Sequence, residues 1–242
     1  MIGESMPPRS SVTIVASPRP RVGKTLLARL LIDFHRHEGR PVAGFDLNSG
    51  EETVAQFLPE QAKAAAIGDV SGQMAVFDRL IADDGVAKVV DLGHDSFASF
   101  FALAEQIGFV EEASKHDIVT AVLFLLTPDA SSIEAYANLG RRFPGVLLAP
   151  VHNEILGPAQ QRAKYPISPG ALLLRIPLMA TALRRAVSHA PFSFADAESD
   201  PGISADNLVE LQHWLRRVHI EFRELSLRTL LADLQSAIRI VS

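Results

Sequence analysis

The stretch VTIVASPRPRVGKTLLARLL, Val12 to Leu31, constrains the fold of this chain more than any other. An apolar, β-branched run (Val12–Ala16) enters a loop carrying Pro18, Arg19, Pro20 and Arg21. Gly23–Lys24–Thr25 then opens a segment whose Leu27, Leu30, Leu31 and Phe34 share one helical face. Strand, loop and helix in this order put the backbone N–H groups of a helix start at a strand's carboxyl end. Such N–H groups, with the helix dipole behind them, bind anions. Lys24 is then placed to reach β- and γ-phosphates, and the Thr25 hydroxyl to hold Mg²⁺. The plain alternative is a chance Gly–Lys–Thr at a helix start. The full spacing G-x-x-x-x-G-K-[ST] is not met, because Pro18 stands at the first glycine.

The rest of the chain repeats the alternation. Apolar runs recur at 41–45, 87–92, 118–126, 145–151 and 171–176, and read as strands buried on both faces. Between them lie segments of helical period, including SGQMAVFDRLIADD and DASSIEAYANLGRRF, the latter with Asp129 as a candidate N-cap. The pattern predicts a doubly wound α/β domain: a mostly parallel sheet with helices on both faces, plus a C-terminal helical segment. A flexible lead-in is expected over 1–10 and a nucleotide-binding domain over 11–190. The acidic, turn-rich stretch 191–203 reads as a linker or surface loop. Residues 204–242 read as C-terminal helices packed on the same domain, with Leu208, Leu211, Leu215 and Val218 on one face.

Composition removes several classes. With no cysteine, disulfide frameworks, thiolate metal sites and Fe–S carriers are excluded. No apolar run approaches the roughly 20 residues of a membrane span, and no signal peptide is recognised, so the cytoplasm is the expected location. A net charge of −5 gives no support to a nucleic-acid partner. Arg216, Arg217, Arg223 and Arg228 would form either a DNA-binding surface or a solvated face shared with Glu210, Glu221 and Glu224.

The loop resembles that of the ParA/MinD family of deviant Walker A P-loop ATPases, which are related to dethiobiotin synthetase-like enzymes. The family loop reads K-G-G-x-G-K-[ST]. Laid on it, Arg19 falls at the signature lysine, Pro20 and Arg21 replace two glycines, and Val22, Gly23, Lys24 and Thr25 match. In GFDLNSG, Asp46 matches the first aspartate of the family's D-x-D-P-Q switch and Asn48 falls at the second. Asp91 in KVVDLGHDS matches the aspartate ending the Walker B strand, and Ile176–Pro177 matches an Ile-Pro near the base. The resemblance spans 11–189 and implies ATP or ADP with Mg²⁺. It places Lys24, Asn48 and Arg19 in catalytic positions, and Thr25, Asp46 and Asp91 at the metal. Arg21 to Thr25 and Pro177 would surround the nucleotide. The implied function is a switch ATPase that partitions or positions a cargo through an ATP-bound homodimer, with an unidentified protein partner. Arg19 would cross to the partner's nucleotide.

Several positions keep a second reading. Asp46 and Asp91 could begin turns after their strands. Asn153 could read the adenine edge or belong to an ordinary loop. Pro20 removes an N–H from the loop. Arg19 and Arg21 could grip phosphate oxygens or point to solvent. An amide at Asn48 hydrogen-bonds water but accepts no proton, so slow hydrolysis with binding retained is expected. Two further readings stay open: a non-hydrolysing scaffold of the same fold, and an ATP-dependent enzyme of the dethiobiotin synthetase type.

Overall fold

The computed structural model describes residues 9–50, 53–157, 165–167 and 171–241, with the side chains of the last helix described to residue 231. All but Arg9 and Ser10 of the lead-in thus lies outside the described residues. Strands and helices alternate: β1 (Ser11–Ala16), α1 (Lys24–His37), β2 (Val42–Leu47), α2 (Val54–Phe57), β3 (Ala62–Ala64), α3 (Val70–Leu80) and β4 (Ala87–Leu92). Then come α4 (Phe97–Gln106), α5 (Phe109–Lys115), β5 (Val119–Leu125), α6 (Ala130–Arg142), β6 (Leu147–Asn153), β7 (Leu174–Ile176), α7 (Thr181–Ala186) and α8 (Ala205–Val241).

The strands form one seven-stranded sheet in the order β3-β2-β4-β1-β5-β6-β7. Every pairing is parallel, so the mostly parallel expectation sharpens to an all-parallel sheet. Side-chain alternation divides the core in two. Val15, Val89 and Leu123 face α1, α2, α7 and α8. Ile14, Val90, Val122 and Phe124 face α3 to α6. Both faces are covered, which is why these strands read as continuous apolar runs. β3 gave no such signal, because its three residues, AKA, form a short and mostly exposed edge.

The 191–203 stretch is more than a linker. Phe192, Phe194 and Ala197 are buried in the core, 2–5% exposed. The Asp33 carboxylate of α1 accepts from the Phe194 N–H at 2.6 Å and the Ser193 hydroxyl at 3.2 Å. Burial raises the Asp33 pKa, while these bonds and Arg36 oppose the rise. Arg29 lies 3.5 Å from the Phe57 ring centroid and donates to the Val187 carbonyl. Its aliphatic stem and flat guanidinium pack among aromatics, as arginine can. The tail is a single helix of 37 residues, about 55 Å long at ~1.5 Å per residue. Its Leu211, Trp214, Val218, Phe222 and Leu225 line the face that packs on the domain.

Candidate functional site

A parallel sheet gathers all its carboxyl ends at one edge, and ligands of this architecture bind there. That edge carries Asp46 from β2, Asp91 from β4, Asn153 from β6 and Pro177 just past β7. Central β1 delivers its loop, Ser17 to Gly23, into the middle of them.

The loop turns through two left-handed residues, Arg21 at φ 57° and Gly23 at φ 96°. Glycine is required at 23 on two counts. Its φ is left-handed, and a Cβ there would lie 2.6 Å from Asn153 Nδ2. Arg21 holds a conformation that costs a β-carbon-bearing residue something, and its side chain is exposed. Lys24 opens α1, is 6% exposed, and donates from Nζ to the Arg19 carbonyl at 2.7 Å. Burial pushes its pKa down, and the charges of Asp91 and Asp95 push it back up.

Thr25 Oγ1 donates to Asp91 Oδ2 at 2.7 Å. Asp91 is fully buried, and its Oδ1 has no hydrogen-bond partner. Its neighbour in the parallel register is Asp46. Desolvation is the main cause that raises the Asp91 pKa to about 7, helped by the Asp46 charge and opposed by Thr25 and Lys24. A buried, half-satisfied carboxylate beside a threonine hydroxyl fits a cation. Two protein oxygens also suit Mg²⁺, which keeps waters and takes further ligands from phosphates.

Asp46 spends both oxygens on the chain: Oδ1 accepts from Asn48 N–H at 3.1 Å, Oδ2 from Ala55 N–H at 3.0 Å. It thereby shapes the turn after β2 and acts on the site through its charge on Asp91. The Asn48 side chain accepts from Gly50 N–H at 3.3 Å. Asn153 donates from Nδ2 to the Val22 carbonyl at 3.0 Å and accepts from Ile155 N–H at 3.1 Å. Its amide is a brace between β6 and the β1–α1 loop, with both polar ends occupied. Pro177 accepts from Trp214 Nε1 at 3.0 Å, and a cavity of about 190 Å³ beside Thr25 runs between Leu26, Ile155 and Met179.

Arg19 points away from the loop. Its Nε donates to Asp129 Oδ1 at 2.9 Å, with Nη2 on the same oxygen. Asp129 caps α6 through Ser132 N–H and also accepts from Thr127 and Ser131. The guanidinium and these donors hold its pKa well below the usual carboxylate range. The sequence offered Asp129 only as a helix cap. That it also binds a loop arginine 110 residues earlier is a tertiary fact, hinted at only by an aspartate just past a strand end. Asp95, acting on Lys24 by charge, was missed for the same reason.

No protein-family model and no curated protein matches this sequence. Solved structures do. The MinC:MinD cell division protein complex of Aquifex aeolicus aligns over 86% of this chain and 95% of that one, at 13% identity and a TM-score of 0.51. A nucleotide-binding protein in complex with ADP from Archaeoglobus fulgidus aligns over 87% and 88%, at 13% identity and TM-score 0.43. FtsY from Mycoplasma mycoides aligns over 62% and 53%, at 12% identity and TM-score 0.40. The all-parallel seven-stranded sheet and the alignment with the MinC:MinD complex show an α/β fold like that of P-loop NTPases. Among the described residues, no helix is long and apolar enough to cross a membrane.

Proposed function

We propose that this chain binds ATP or ADP with Mg²⁺ at the β1–α1 loop and works as a slow, nucleotide-switched ATPase. The observation that carries the reading is the Thr25–Asp91 bond of 2.7 Å, with the second Asp91 oxygen buried and unpaired. Backbone N–H groups from Arg21 to Thr25 would hold the phosphates, and Lys24 would leave the Arg19 carbonyl for them. The cation would supply charge stabilisation to the phosphates, while Thr25 and Asp91 hold it. ATP–Mg²⁺ or ADP–Mg²⁺ should raise the melting temperature, since a ligand of the native state alone stabilises it by RT ln(1 + [L]/Kd), about 2.7 kcal/mol at 100-fold over Kd. Lys24→Ala should remove most of that shift. A folded protein that shows no shift in millimolar nucleotide sinks the proposal.

Among the described residues of the turn after β2, no carboxylate is left to orient a water; Glu51 and Glu52 of that turn lie outside them. Asp46 is bonded to the chain and position 48 is an amide. This supports slow turnover, and it equally favours a second reading, a nucleotide-bound scaffold without hydrolysis. Phosphate release in the same samples separates the two.

Cargo positioning through an ATP-bound homodimer is the finer part of the proposal, and its support is the loop resemblance together with the overall fold. Arg19 enters it with a prior engagement. Reaching a second subunit would require breaking the pair with Asp129. Light scattering on ATP–Mg²⁺ samples should read a doubled mass, more readily in Asp129→Ala than in wild type. An unchanged mass in both proteins removes the dimer from the proposal while leaving nucleotide binding intact.

A further inference from the structure

At the opposite, amino-terminal edge of the sheet lies a second and larger cavity, about 620 Å³, within the roughly 300–1,000 Å³ of small-molecule pockets. Its floor is the start of β1, β4 and β5, at Ser11, Ala87 and Val119, and its walls are the end of α1 and the distal part of α8. The sequence explains its shape. α1 ends in a Schellman turn: Gly39 N–H bonds the Arg36 carbonyl and Arg40 N–H the His35 carbonyl, both at 2.9 Å. Gly39, at φ 66°, makes that turn, and it sends Arg40 back beneath the helix into the cavity wall.

Arg40 is poorly served there. Among the described residues its guanidinium has no hydrogen bond and no ion pair, and its Nε is buried without a partner. Its Cζ lies 5.3 Å from the centroid of the Phe34 ring. Glu38, whose charge acts on Arg40, is paired with Arg223 at 3.0 Å. Asp117 stands exposed on the rim, and Arg9 adds a second cation to the wall. A half-buried guanidinium without an acceptor is costly unless something supplies one. The α8 side of the wall offers apolar surface: Phe222 and Leu225 are buried there. The apolar surface continues outward over Leu227 and Leu230, which are 57% and 43% exposed.

We propose that this cavity binds a small amphipathic carboxylate, an aliphatic monocarboxylic acid whose head pairs with Arg40 and whose chain runs over Phe222 and Leu225 toward Leu227 and Leu230. A planar guanidinium takes a carboxylate in two parallel bonds. The tail leaves water for an apolar wall that the fold already provides. The site is separate from the phosphate loop and does not depend on the nucleotide reading.

The test is calorimetric titration of the full chain with octanoate and, in parallel, with 1-octanol, which has the same chain without the charge. Octanoate should bind and octanol should bind more weakly. Arg40→Gln should weaken octanoate roughly tenfold or more, the scale of a charge-assisted hydrogen bond. Ser226→Phe, which fills the cavity from α8, should abolish binding, and Lys24→Ala should leave it unchanged. No octanoate heat at millimolar concentration, octanol binding as tightly as octanoate, or an unaltered affinity in Arg40→Gln would each overturn the proposal. The comparison of octanoate with octanol needs only the wild-type protein, so it stands even if a variant fails to fold.

Discussion

Asp91→Asn should make the ligand-free protein more stable at pH 8 and abolish its response to Mg²⁺–nucleotide. The folded chain holds the Asp91 proton up to about pH 7, because the carboxyl is buried beside Asp46. An unfolded chain releases that proton near pH ~3.9. Between these values the unfolded state binds fewer protons than the folded one, so rising pH favours unfolding. The contribution of this group is therefore fully present below about pH 4 and lost as pH rises through about 7. A gap of roughly three pKa units is on the order of 4 kcal/mol. Asparagine has no such proton to lose. Urea unfolding in EDTA should then show a gain on the order of 3–4 kcal/mol for Asp91→Asn at pH 8 and little difference at pH 4. With Mg²⁺ and nucleotide the order should reverse, because only the wild type offers the cation a charged ligand. If Asp91→Asn is the less stable protein at pH 8 in EDTA, the carboxylate is not strained and the metal assignment loses its main support.

The second large effect is expected at Trp214. The indole is 4% exposed, donates to the Pro177 carbonyl at 3.0 Å, and lies 6.4 Å from the Phe194 ring. It ties α8 to the turn after β7 and to the 191–203 stretch at once. Trp214→Ala should cost about 3–5 kcal/mol, the range for emptying a large aromatic site. Trp214→Phe keeps most of the buried area and loses the hydrogen bond, so about 1–2 kcal/mol is expected. Both numbers are to be read from denaturant midpoints at constant m. A loss under 1 kcal/mol in Trp214→Ala would mean that α8 melts on its own, outside the cooperative unit.

What the sequence revealed and what it hid divide along one physical line. The β1–α1 loop was legible because a strand, a Gly–Lys–Thr and an amphipathic helix are adjacent in the chain. Asp46 and Asp91 were placed at strand ends for the same reason, since each closes its own apolar run. The partners of those groups were not legible. Asp46 binds the backbone of Asn48 and Ala55, and Asn153 binds Val22 across 131 residues. Arg19 finds Asp129 across 110. Such pairings follow from how the sheet is ordered, and period or propensity carries no trace of them. Phe192 and Phe194 show the same limit in the core. Their surroundings are acidic and turn-rich, yet Arg29 and Asp33 on α1 give that stretch a reason to fold inward.

The position of β1 has a consequence for how the chain is made. Of the seven strands of the sheet it is the first to leave the ribosome and the one at the centre, with β4 on one side and β5 on the other. Both neighbours are encoded later, and β5 ends at Leu125, 109 residues after Ala16. At ~5–20 residues per second, the nascent β1 waits roughly 5–20 s for its second partner. During that time Val12, Ile14 and Val15 present an apolar strand with open hydrogen-bonding edges, and pairings of such long range are slow to form in any case. The interval between the synthesis of β1 and that of β5 is thus one in which this strand is open to mispairing and a chaperone's cover would protect it.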